Sequence, residues 1–111
     1  MEATDLDDQV VEVENMNPDA VGPVMRAGEI AEAMIGAIAE DNAPKKVFVL
    51  DRGDYIRINT LGDCKLTLKT LESHLGREYN LARLEIEMPS FSGRIRTTDA
   101  EYVWFNDALS A

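Results

Sequence analysis

With 111 residues, 45% of them hydrophobic, the chain is long enough for one domain with a packed core and too short for two. A formal net charge of −10, with no basic stripe, repels phosphate backbones and argues against a nucleic-acid partner. No apolar run approaches a membrane span, no positively charged stretch precedes an apolar one at the N-terminus, and the single cysteine, Cys64, cannot close an internal disulfide, so a soluble cytoplasmic protein is expected.

Residues 1–20 hold Glu2, Asp5, Asp7, Asp8, Glu12, Glu14 and Asp19 but no Lys or Arg. Without aromatics or periodic apolar positions, this stretch cannot bury enough surface to offset its ordering entropy. A flexible acidic arm is expected, serving either solubility or a basic partner. Ala20 to Arg26 reads as a short strand, and Pro23, which lacks a backbone donor, belongs on an edge or at a bulge. From Gly28 the period becomes helical: Ile30, Met34 and Ile38 stack at i, i+4 and i+8, while Glu29 and Glu32 suit the positive end of the helix dipole. Gly36 costs roughly 1 kcal/mol relative to alanine inside that helix, which implies close packing against a strand or close approach of a partner. Asp41, Asn42 and Pro44 mark a following loop.

"KKVFVLDRGDYIRI" comprises two β-prone runs around a polar turn, with Gly53 available for positive φ, and predicts a hairpin whose first strand is central. Thr67 is placed to cap a helix carrying Leu68, Leu71 and Leu75 on one face, with Gly76 at its C-terminal end. Asn80 is placed to cap a short turn. In "LEIEM", Leu84, Ile86 and Met88 alternate with glutamates, the pattern of a half-buried strand. "SGRIRT" and "EYVWF" complete the strands, the latter bringing Trp104 to the core. The fold class expected is α+β, with two main helices packed on a largely antiparallel sheet built from hairpins. The arm at 1–20 precedes a single compact domain at 21–106 and a tail at 107–111.

Familiar catalytic constellations do not fit. A phosphate loop needs Lys and Ser or Thr after its last glycine, but Gly28 is followed by Glu29. His74 is the only histidine, so the paired Glu-x-x-His motifs of a carboxylate-bridged metal bundle cannot form. Cys64 and His74 remain an alternative nucleophile and base for a small hydrolase or transferase, though no third orienting group is evident. Arg52-Gly53-Asp54 matches an adhesion tripeptide but sits where a hairpin turn needs Gly and Asp. The acidic composition also suits acyl carrier proteins, yet no Asp-Ser-Leu attachment site is present. What remains is a domain that works by binding.

"VGPVMRAGEI", "DRGDYIRI", "TLKTLESHLGREYNLARLEI" and "SFSGRI", in that order between Val21 and Phe105, resemble the effector or coupling proteins of soluble bacterial di-iron monooxygenases. The first block is most similar to the toluene and alkene monooxygenase branch. The resemblance implies a cofactor-free, metal-free regulatory component with no catalytic residues. Such a component docks on the di-iron hydroxylase, tunes access, coupling and regiochemistry, and competes there with the ferredoxin or reductase. It further implies a chain that is monomeric when free and serves alkene oxidation or aromatic hydrocarbon catabolism. Hydroxylase-binding candidates are Arg26, Glu29, Glu32, Arg77 and the segment Ser90, Phe91, Ser92, Gly93 and Arg94, with Phe91 turned either to the hydroxylase or into the core.

Overall fold

The structure, a computed structural model, describes residues 8–106; the first part of the acidic arm and the tail at 107–111 lie outside them. Eight strands and three helices follow in chain order: β1 (Val10–Glu12), β2 (Ala20–Arg26), α1 (Glu29–Asn42), β3 (Val47–Asp51), β4 (Tyr55–Leu61), β5 (Asp63–Thr67), α2 (Leu68–Leu75), α3 (Leu84–Glu87), β6 (Ser90–Ser92), β7 (Arg94–Thr97) and β8 (Glu101–Phe105). One sheet has the order β1-β3-β4-β2-β6 and the other β5-β8-β7. All pairings are antiparallel except β1 with β3, so the expected α+β class, largely antiparallel, is what forms.

The hairpin closes where Gly53 takes φ 89° and its N–H donates to Asp51 Oδ1 at 2.8 Å, so Arg52-Gly53-Asp54 is turn geometry. Helix α1 lies on α2 and β5 and buries Ile30, Met34 and Ile38 against Val21, Met25, Val49, Ile58 and Leu71. Its alanines allow that close approach. At Gly36 the tight neighbour is a helix side chain and not a strand: a Cβ there would stand 2.5 Å from His74 Nδ1.

Asp41 and Asn42, expected in a loop, are the last residues of α1 and tie it to the chain beyond. The Asp41 carboxylate accepts from Thr67 N at 2.7 Å and from Thr70 Oγ1 at 2.8 Å. Asn42 Oδ1 accepts from Lys65 N at 2.9 Å, while its amide donates to Lys65 O at 2.8 Å. Thr67 and the left-handed Gly76 cap α2 as expected, the hydroxyl accepting from Thr70 N and the Gly76 N–H donating to Glu72 O.

Three further expectations change. "LEIEM" is helical: Asn80 caps a 3₁₀ turn, Leu81–Arg83, that runs straight into α3. Leu81, Leu84 and Met88 then face inward at i, i+3 and i+7, which leaves Ile86 on the outside, 67% exposed. Pro23 is not on an edge, because β2 lies between β4 and β6; its missing donor falls where the β2–β4 ladder skips Gly22 and Pro23. Finally, part of the expected arm is ordered: Val10, Val11 and Glu12 pair with Val47, Phe48 and Val49. Gln9 Nε2 donates to Ala39 O at 2.6 Å, Val13 N donates to Val49 O at 3.0 Å, and Val10 packs against the core. Removing residues 1–14 is therefore expected to cost on the order of 2 kcal/mol, read as a lower urea midpoint. An unchanged midpoint would mean that β1 adds nothing to the fold.

Candidate binding surface

The sequence-derived candidates fall into two neighbouring groups. Arg26 ends β2, and its Nε donates to the Ile86 carbonyl at 3.3 Å. Glu29 opens α1 and meets Arg77, just past the α2 cap, in an ion pair of 2.8 Å. The two elements bring these side chains together across 48 residues of chain. As an exposed pair it contributes roughly 0.2–1 kcal/mol, but it occupies the Glu29 carboxylate. Glu32 lies exposed one turn further along α1. Arg77, Glu29 and Ile86 line a cleft of about 410 Å³ together with Tyr79, Arg83 and Glu87. Burial first, then the Glu87 carboxylate, hold the Tyr79 phenol above its ordinary pKa.

The second group is β6, the edge strand beside β2, with the turn that carries the chain into β7 of the other sheet. Its register places Ser90 opposite Val24, Phe91 opposite Pro23 and Ser92 opposite Gly22, so it lies two residues along β2 from Arg26. Phe91 is 40% exposed on this edge strand, which leaves a large part of its ring outside the core. Arg57 Nη2, from β4, donates to Ser92 Oγ at 2.7 Å and ties the end of β6 to the sheet. Gly93 turns the chain at φ 93°, where a Cβ would lie 2.7 Å from Phe105 O. Arg94, exposed, begins β7.

Sequence reasoning did not single out Ile86, Arg83 or Arg57, which the structure places beside these candidates. Ile86 was hidden by its apparent strand alternation. Arg57 needed the strand register, because nothing local distinguishes it from any other polar strand residue.

Elsewhere the reactive groups are engaged or buried. His74 Nε2 lies 3.0 Å from Glu40 Oε1, joining α2 to α1. Cys64, fully buried on β5, has its pKa pushed up to about 12 by loss of hydration, against which a hydrogen bond to Thr60 acts. Its thiol stays neutral in the folded chain where an unfolded one ionises near 9.0. The sign follows: its contribution to stability is intact below about pH 9 and erodes as pH rises toward 12. Native Cys64 is accordingly expected to resist iodoacetamide at pH 8 and to react once unfolded, as followed by mass spectrometry; rapid native alkylation would refute this. Among the described residues, no group of three or more His, Cys, Asp or Glu is placed to hold a metal ion, and no helix is long and apolar enough to cross a membrane.

The architecture is that of a small α+β domain, helices on largely antiparallel sheet, with a charged, partly apolar surface. A profile of the MmoB/DmpM family matches residues 19–105, and the chain belongs to that family. It is 48% identical over 93 residues to the effector subunit of the alkene monooxygenase system of Xanthobacter autotrophicus (strain ATCC BAA-1158 / Py2), covering 84% of this chain and 92% of that protein. Its fold is similar to that of a structure of the phenol hydroxylase–regulatory protein complex, with a TM-score of 0.66 at 20% identity, over 78% of this chain and 95% of the other. It is also similar to the soluble methane monooxygenase regulatory protein B, with a TM-score of 0.58 at 21% identity, over 86% of this chain and 70% of the other.

Proposed function

We propose that this chain is the effector subunit of a multicomponent alkene-type monooxygenase, binding its di-iron hydroxylase and tuning access, coupling and regiochemistry without a chemical step of its own. The observation that carries this is the 48% identity to an alkene monooxygenase effector subunit across nearly the whole of that protein. The buried Cys64, its thiol held neutral, supports a non-catalytic role, since the thiolate is the nucleophile. An effector must bind the hydroxylase states unequally, because equal affinity shifts nothing. Converting a mostly incompetent population to a mostly competent one takes about 5 kcal/mol of differential binding, which an interface of roughly 1,600 Å² can supply. Its expected compartment is the cytoplasm, beside the hydroxylase, ferredoxin and reductase.

The test is reconstituted turnover. Adding the purified protein to the reduced hydroxylase with an alkene and dioxygen is expected to raise epoxide formation severalfold, saturating with effector concentration. Phe91→Ala is expected to alter product distribution or coupling while its melting temperature stays near that of the parent. Turnover by the chain alone, or no stimulation at any ratio, would sink the proposal.

A further inference from the structure

An exposed aliphatic side chain is ordinary on a protein surface, and by itself Ile86 would mean little. Three further observations gather around it. Ile86 is the most exposed large hydrophobic among the described residues, at 67%, and it projects from a single helical turn whose inward positions are filled by Leu84 and Met88. Arg26 fastens to its carbonyl, and Tyr55, 42% exposed, stands directly opposite Arg26 in the β2–β4 register, so a second large apolar surface adjoins the same cation. Arg83, exposed and one turn before Ile86, makes no ion pair among the described residues.

Charge separates this patch from the rest of the chain. The protein as a whole carries −10. Around Ile86, however, Glu29 is neutralised by Arg77, and Glu85 lines the other cleft beside Tyr102, which leaves Arg26 and Arg83 balanced by Glu78 and Glu87, a locally neutral patch on an acidic chain. An aliphatic knob and an aromatic ring edged by arginines is the composition that concentrates binding energy at protein interfaces, where charges are held at the rim and apolar anchors at the centre.

We propose that Ile86, flanked by Arg26 and Arg83, is the anchor by which this chain docks on the hydroxylase, whose facing surface presents an apolar socket edged by carboxylates. This rests on the effector reading: Arg26 and Arg83, and not Glu29, which Arg77 already engages, meet opposite charge on the partner. The segment bearing Phe91 begins three residues after α3 and pairs with β2 beside Arg26, so an anchor at Ile86 would set where that segment lies on the hydroxylase.

The experiment measures Kd for the hydroxylase component of the Xanthobacter autotrophicus alkene monooxygenase system by titration calorimetry, with stimulated turnover followed in parallel. Ile86→Asp is expected to weaken binding at least tenfold with an unchanged melting temperature, because the residue is exposed. Arg83→Glu is expected to weaken binding by roughly fivefold and to flatten the dependence of Kd on salt. Leu61→Asp, the same kind of change on an exposed residue at the opposite end of β4 from Tyr55, is expected to leave Kd as it was. A parent protein that stimulates turnover alongside an Ile86→Asp variant of equal affinity would overturn the anchor and leave the effector reading standing. A parent that neither binds nor stimulates would overturn both.

Discussion

Replacing Gly22 with alanine is expected to destabilise the domain by about 3 kcal/mol, one of the larger single-methyl effects this fold can show. Gly22 takes φ 145°, which L side chains rarely adopt. A Cβ there would lie 2.3 Å from Ile58 O and 2.6 Å from Asn59 Nδ2, and the first of these is backbone of the adjoining strand, which cannot swing aside. The strands would have to part, and β6 would move with them because Ser92 pairs with Gly22. Gly28 separates the two contributions. It has φ 146°, but a Cβ there would meet nothing within 4 Å, so Gly28→Ala should cost only the conformational strain, about 1 kcal/mol. Equal urea midpoints for the two variants would show that the contact with β4 is not what makes Gly22 necessary.

Trp104→Ala is expected to lose about 4 kcal/mol. The indole is fully buried on β8, opposite Cys64 on one side and Ile95 on the other, and meets Tyr102 edge-on at 6.1 Å. Its Nε1 has no hydrogen-bond partner among the described residues, so truncation removes packing and no hydrogen bond. Trp104→Phe should therefore lose well under half as much, since it keeps an aromatic ring and drops an unsatisfied donor. For a domain near this size, the alanine variant should melt roughly 15–30 °C lower by circular dichroism. A loss under about 1 kcal/mol would mean that the second sheet repacks freely around the gap.

Much of the architecture was legible because its signals are local. Thr67 and Gly76 delimit α2, Asn80 starts the next turn, and Gly53 with Asp51 closes the hairpin, each through bonds within a few residues. "LEIEM" failed for a definable reason. Positions 84 and 88 are compatible with both period 2 and period 3.6, and only Ile86 separates them; a preceding cap at Asn80 favoured the helix. The arm was misjudged because composition registers the absence of a core-forming pattern but not a strand completed by a distant partner, as Val10–Glu12 is by β3.

By itself the sequence determined a single α+β domain with capped helices and a turn-closed hairpin, no assembled catalytic constellation, and a resemblance strong enough to direct the functional reading. Only the tertiary structure decided which side chains meet: Glu29 with Arg77, Arg57 with Ser92, Asn42 with Lys65, and Ile86 with solvent. Capping and turn chemistry act between neighbours in the chain, and so are written in its order. The surface offered to a partner is set by long-range strand register and helix rotation, where one residue's shift turns a side chain from core to solvent.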